Sequence, residues 1–377
     1  MINLIYLDYS ATTPVNKDVL ESFNKANLDF VGNANSLHTL GLNASKLISS
    51  ATKQIQELLH ISDREIIYTS SSSEANNLAI KGIALKYQNR GKHIITTRFE
   101  HSSVYGPLEY LNELGFDISY VECDEYGIVD LNNLKELIRE DTILVCVNAV
   151  NSELGILQPI NEIGKLLKEI SKCYFFVDLT QAIGKIKVDF NNIDLASFSG
   201  HKIYGLKGIA CLVNKKNIML EPLIHGGKST SIYRSGTPAH PLIVSISKAL
   251  RLILEEIDKN YNYIKELNEF LILNLNKYNE VTINSNSYCV PHILNISVLG
   301  IKAETLLHAL EKFDVYVSTQ SACNDKNSIS ENVLYLTKDN ERAKSSIRIS
   351  LSHLTTKEEL EKFLYYFSLC YKELKMS

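Results

Sequence analysis

Between about residues 45 and 215 the chain alternates between two hydrophobic periods. Short β-branched or aromatic runs recur as EIIYTS (65–70), HIITT (93–97), ISYVE (118–122), TILVCVN (142–148), CYFFVD (173–178), LASFS (195–199) and IACLVN (209–214). Each ends in a polar turn and reads as a strand. Helix-period segments lie between most of them, at 44–59, 74–87, 131–139 and 160–170. Strands alternating with helices predict an α/β fold, a mostly parallel seven-stranded sheet covered on both faces.

A long helical region at 241–278 follows and reads as the bridge to a smaller α+β unit. In that unit the strand runs HILNIS (292–297) and SIRISL (346–351) alternate with helices near 303–313 and 357–375. The segment 318–344 is rich in Asn, Ser and Asp, with one apolar patch at 333–336, and reads as a mobile loop carrying Cys323. No internal repeat is visible.

Composition narrows the class without naming a chemistry. At 377 residues the chain exceeds a single ordinary core, which predicts two domains. Lys plus Arg number 39 against 43 Asp plus Glu, so bulk charge gives no reason to expect a nucleic acid or a membrane surface as partner. No apolar run nears the roughly 20 residues of a spanning helix, and MINLIYLDYS lacks signal-peptide character, so a cytoplasmic location is expected. Seven scattered cysteines show no CxxC and no metal-like pairing with His, which predicts neither disulfides nor a metal site. Three of them, Cys146, Cys173 and Cys211, sit in apolar runs as core residues do, whereas Cys123 and Cys323 have polar neighbours.

In open α/β sheets ligands bind beyond the carboxyl ends of the strands, and four such ends carry polar groups. TSSSSEANN (69–77) runs from a strand through serines into a helix, with Ser71 and Glu74 spaced as a capping box. That is either a phosphate site or simply a capped helix. Asp178 ends FFVDLTQ with Gln181 a turn later, and its carboxylate needs a cation, either an arginine or a protonated pyridine nitrogen. Lys202, beside Ser199 and His201 in SFSGHKIYG, is either surface decoration or an amine whose desolvation lets it bond to a carbonyl. His101, in TTRFEHSSV, is either a structural imidazole or one that stacks on a planar ligand and handles protons. Pyridoxal phosphate (PLP) requires all four: an anion site, a carboxylate for its ring nitrogen, an aromatic cover and a lysine.

With these motifs, YLDYSATTP (6–14), GNANSLH (32–38), EANNLAIKG (74–82), VDLTQAIGK (177–185), RSGT (234–237), SAC (321–323) and SSIRISL (345–351), the sequence resembles the NifS/IscS-type cysteine desulfurases. These are PLP enzymes of fold type I, grouped with the class V aminotransferases. The resemblance implies a large PLP-binding domain over 15–255 and a small domain formed by 1–14 and 256–377. It implies that Lys202 bonds to the cofactor aldehyde, Asp178 pairs with the pyridine nitrogen and Gln181 donates to the ring hydroxyl. His101 would stack on the ring, and Ser72, Ser73, Ser199 and His201 would hold the phosphate. Thr237 would reach that phosphate from the other subunit of a homodimer. Arg348, with Asn151 nearby, would grip the substrate carboxylate, a bidentate task that suits arginine. Cys323 would take sulfur from L-cysteine as a persulfide, release L-alanine, and pass the sulfur to an acceptor protein for iron–sulfur cluster assembly or for thiolation of tRNA or a cofactor.

The chain departs from the family pattern in places. Ser71 stands where glycine is expected, Ser152 replaces the second Asn of Asn-Asn-Glu, KSTSIYRSGT (228–237) is unusual, and Ser352 replaces a glycine. A selenocysteine lyase or other PLP lyase or aminotransferase, and a PLP-binding scaffold of weak activity, are the alternatives on the same fold.

Overall fold

The structure is a computed structural model that describes residues 4–319 and 329–376. Its chain runs β1 (Ile5–Tyr6), α1 (Lys17–Asp29), α2 (Thr39–Leu58), β2 (Arg64–Thr69), α3 (Ser72–Tyr87), β3 (His93–Thr96), α4 (Ser102–Glu113) and β4 (Asp117–Tyr120). It continues through α5 (Leu131–Leu137), β5 (Thr142–Asn148), α6 (Ile160–Ile170), β6 (Tyr174–Asp178), β7 (Leu195–Ser199) and β8 (Ala210–Lys215). The remaining elements are α7 (His240–Glu255), α8 (Ile257–Leu275), β9 (Val281–Ile283), β10 (Ile293–Val298), α9 (Ala303–Glu311), β11 (Val315–Tyr316), α10 (Glu331–Thr337), α11 (Asn340–Lys344), β12 (Ser346–Ser350) and α12 (Lys357–Met376).

Seven strands form the main sheet in the order β2-β8-β7-β6-β5-β3-β4. Neighbours from β7 to β4 run parallel, while β8 is antiparallel to both β2 and β7. Strand β5 shows why the run TILVCVN reads as strand. Val145 and Val147 face one core, with α2, α6 and α7, while Ile143, Leu144 and Cys146 face another, with α3 and α4. A strand buried on both faces has no polar alternation to show.

A second sheet, β12-β10-β9, is antiparallel. It shares a separate hydrophobic core with α8, α9 and α12, and Ile5 and Leu7 from the start of the chain join that core. The parallel pair β1–β11 and the bridge Asp8–Ser350 fasten this first segment to the second core. Residues 8–13 then cross to the main sheet, where the Thr13 amide donates to the His201 carbonyl (3.0 Å).

Two expectations need correction. The helical region 241–278 is two helices that break at Glu256. The segment 318–344 contains α10 and α11 in its described part. Both are short, α11 is polar as well, and caps hold them: Ser330 Oγ accepts from the Val333 amide (3.0 Å), and Asp339 Oδ1 accepts from the amides of Glu341 (2.8 Å) and Arg342 (3.2 Å). Val333 and Ala343 anchor them in a small cluster with Phe99, Leu154 and Ile156. Cys323 lies outside the described residues. Helix α4, which sequence reading missed, contains Gly106 and Pro107, and these hide its period.

Candidate active site

Helix α3, the loops into α4 and α6, and the turn after β7 leave the sheet along one edge, where the strands present their carboxyl ends. A cleft of about 200 Å3 opens there. It is lined by Ser72, Ser73, His101, Asp178, Gln181, Ser199, His201, Lys202 and Arg348, nine of the residues singled out in the sequence. Ser10, Ser103, Asn148, Ser152 and Thr180 also line it and were not foreseen as site residues.

The phosphate side is built at the start of α3. Ser71 caps the helix, accepting from the Glu74 amide (3.2 Å), while Glu74 Oε2 accepts from the Ser70 amide (2.7 Å) rather than from the amide of the cap itself. The other Glu74 oxygen is held by Arg234 Nε (2.9 Å). Burial works against the Glu74 charge, but Arg234 and Ser70 outweigh it and hold the carboxyl below its usual range. Ser71 has φ −161° and ψ 162°, an extended conformation open to any residue, so serine in place of glycine adds no backbone strain here. The unbonded amides of the first turn, with the Ser72 and Ser73 hydroxyls, offer donors to an anion. Across the cleft, Ser199 Oγ is buried without a hydrogen-bond partner. Burial, followed by the positive charges of Lys202, Lys207 and Lys185, pushes the His201 imidazole down to about 4, so it is neutral at pH 7.

Lys202 sits in a tight turn, Gly200–Lys202, directly after β7. Its Nζ donates to the carbonyls of Ser10 and Ala11, the latter at 2.8 Å. Asp178, buried at the end of β6, accepts from Asn76 Nδ2 (2.8 Å) and the Thr180 amide (2.9 Å). His101 caps α4 through Nδ1, which receives the Ser103 amide (3.1 Å). Burial lowers its pKa, and Lys202 and Arg348 push the same way against the opposing charge of Asp178. Gln181 Nε2 donates to the Ser10 carbonyl (2.9 Å), and its Oε1 accepts from Lys185, a buried amine whose pKa desolvation drives well down.

Arg348, in β12 and 2% exposed, is the only one of these residues supplied by the second sheet. Its Nη1 donates to the Ser152 carbonyl (2.8 Å) and its Nη2 to Asp8 Oδ1 (2.7 Å), while Nε is buried without a partner.

Two predicted residues stand apart. Asn151 does not line the cleft: its Nδ2 donates to the Phe99 carbonyl (2.9 Å) and its Oδ1 accepts from the amides of Glu153 (3.0 Å) and Leu154 (2.7 Å), so its amide shapes the loop. Its neighbour Ser152 reaches the cleft instead. Thr237 is exposed and outside the cleft of its own chain. The carbonyls of Ser10 and Ala11 escaped prediction because backbone oxygens leave no mark in a sequence. Asn76 left one, a polar residue among Ala75, Leu78 and Ala79 on the buried face of α3.

The donor set fits PLP: a helix start with hydroxyls and an unpartnered Ser199 Oγ for the phosphate, a buried carboxylate, an imidazole and a lysine amine share one cleft.

The aminotransferase class-V family model matches residues 5–363. A cysteine desulfurase IscS of Buchnera aphidicola (subsp. Acyrthosiphon pisum, strain 5A) is 42% identical over 369 residues, covering 94% of this chain and 90% of the relative. The mitochondrial cysteine desulfurase of Saccharomyces cerevisiae is 38% identical, covering 95% of this chain and 73% of that protein. Among solved structures, a NifS-like protein superimposes with a TM-score of 0.91 at 32% identity, over 99% of this chain and 100% of that one. A protein described as SspA in complex with cysteine gives 0.81 at 32% identity, over 93% and 99%. The chain belongs to the class-V aminotransferase family and, within it, to the cysteine desulfurases.

Proposed function

We propose that this cysteine desulfurase converts L-cysteine to L-alanine with PLP and receives the sulfur on Cys323 as a persulfide. The observation that carries the reading is the meeting of Lys202, Asp178, His101 and Arg348 in one cleft, although they come from four separate strands or loops. A solved relative at 32% identity is described as holding cysteine, in keeping with that substrate.

Ser72, Ser73, Ser199 and His201 would hold the phosphate, Asp178 the ring nitrogen and Gln181 the ring hydroxyl, with His101 over the ring. When bound, PLP supplies an electron sink for charge developing at the substrate Cα. Lys202 would anchor the cofactor, and its Nζ would accept the substrate Cα proton. Arg348 takes the substrate carboxylate; its unpartnered Nε and adjoining Nη groups form a fork for two oxygens. The Cys323 thiolate attacks the substrate sulfur. The S–S bond forms as the Cβ–S bond breaks, the electron pair goes to the carbon side, and alanine leaves after protonation.

A homodimer completes the site in this reading. Thr237 is exposed and does not line the cleft of its own chain, and the segment between α1 and α2 exposes Val31 (75%) and Leu37 (91%), apolar surface suited to a second copy. No helix among the described residues is long and apolar enough to cross a membrane. We place the reaction in the cytoplasm, where unpaired cysteines such as Cys123 and Cys289 persist, with an acceptor protein of the cluster-assembly or tRNA-thiolation type as the outlet for sulfur.

The test is a mass spectrum of PLP-loaded protein after L-cysteine treatment, with alanine measured in parallel. One added sulfur on Cys323 is expected, absent in Cys323→Ala, which keeps the bound-PLP absorbance. Unchanged sulfur release by Cys323→Ala excludes that residue as acceptor.

A further inference from the structure

Asn76 is wholly buried in α3, yet every hydrogen-bonding atom of its side chain has a partner. Nδ2 donates to Asp178 Oδ2 (2.8 Å) and to Ser103 Oγ (2.9 Å), while Oδ1 accepts from Ser197 Oγ (2.5 Å). The amide cannot turn over, because a flip sets its carbonyl oxygen against the Asp178 carboxylate, and two acceptors do not bond.

This orientation propagates. Ser103 Oγ accepts a hydrogen from Asn76 and lies 2.8 Å from His101 Nδ1, and because the backbone amide of Ser103 makes that nitrogen an acceptor, the hydroxyl turns its own hydrogen toward it. The Ser103 amide points at the same nitrogen (3.1 Å). With two donors on it, Nδ1 carries no hydrogen, and a neutral imidazole then holds its proton on Nε2.

We propose that Asn76 is a positioning residue which, through one locked amide, orients the Asp178 carboxylate and the Ser103 hydroxyl, so that Ser103, by its amide and its hydroxyl together, holds His101 as the Nε2–H tautomer and His101 enters the reaction as a hydrogen-bond donor and not as a base. The proposal rests on the placement of His101 and Asp178 against PLP. It assigns proton removal to Lys202, because the one imidazole nitrogen able to accept a proton is already held by two donors.

The test is solid-state nitrogen NMR on 15N-histidine-labelled protein near neutral pH, with and without PLP, the His101 signals identified by their loss in His101→Gln. The wild type is expected to show a bare Nδ1 and a protonated Nε2. Asn76→Leu, which removes both donations but leaves the Ser103 amide on Nδ1, is expected to add a detectable Nδ1–H fraction to the Nε2–H form. Its kcat for alanine formation should fall roughly ten-fold, the worth of one hydrogen bond, with KM for cysteine little changed. Ser103→Ala, which removes only the hydroxyl that links Asn76 to His101, should raise the same fraction and decides the matter if Asn76→Leu does not fold. A protonated Nδ1 in the wild type, or a folded Ser103→Ala with His101 unchanged, overturns the proposal. The PLP-free spectrum keeps the two ideas apart: failure to bind PLP refutes the functional reading, whereas the wrong tautomer refutes only this one.

Discussion

Replacing Arg348 with lysine keeps the charge and removes the fork. The guanidinium engages the Ser152 carbonyl and Asp8 at once, at 2.8 and 2.7 Å. A lysine ammonium at the same place reaches one of these well, so one hydrogen bond to a charged group is lost, about 1.5–3 kcal/mol. In the folded enzyme without substrate this should appear as a lower Tm. With cysteine bound the same loss falls on the carboxylate contact, and 1.4 kcal/mol per decade converts it to a fall in kcat/KM of about ten- to one-hundred-fold. The assay is alanine formation from L-cysteine, run beside L-cysteine methyl ester, which has no carboxylate charge to recognise. The ratio of wild type to Arg348→Lys should be large for cysteine and close to one for the ester. An equal ratio for both, with the absorbance of bound PLP intact, would refute the assignment of Arg348 to the carboxylate.

Ser199→Ala deletes a buried hydroxyl that has no partner, so the PLP-free protein should be as stable as the parent or more so by about 1 kcal/mol, while PLP affinity falls roughly ten-fold. Calorimetry with and without PLP checks both signs, and parallel losses would contradict a phosphate role. Burial pushes the Glu100 carboxyl up to about 8, so the folded state retains a proton that the unfolded chain releases near 4.5. Its contribution to stability is complete below about 4.5 and is lost as pH rises through about 8; Glu100→Gln should flatten the Tm-against-pH curve across that window. Lys185→Met removes the donor that fixes the Gln181 amide, and a roughly ten-fold loss in kcat with shifted absorbance of bound PLP is expected. Wild-type spectra and rates would show that Gln181 needs no such support.

The parallel sheet was legible because strands such as TILVCVN and CYFFVD are buried on both sides and carry the apolar run through every residue. The site was legible for a related reason: Asp178, Lys202 and His101 each follow such a run, and parallel strands bring their ends to one edge. Arg348 became a candidate only through family resemblance, since nothing local ties an antiparallel β12 to that edge. What stayed hidden depends on contacts across long separations. The Ser10 and Ala11 carbonyls under Lys202 have no local signature, and the polar position of Asn76 on the apolar face of α3 does not say that it joins β6, β7 and the α4 cap. Helices α10 and α11 were missed because 7 and 5 residues are too few to show a helical period, and it is their caps and two buried anchors, Val333 and Ala343, that hold them.

The bond between Asp8 and Arg348 spans 340 positions of the chain. A ribosome must therefore translate through β12 before this bond can form, whereas the contacts of residues 10–13 with Gln181, His201 and Lys202 need only the main sheet. Nascent chains that stop short of that strand have the Lys202 turn and the segment beneath it but no Arg348, so the cleft gains its guanidinium only when the last tenth of the chain arrives.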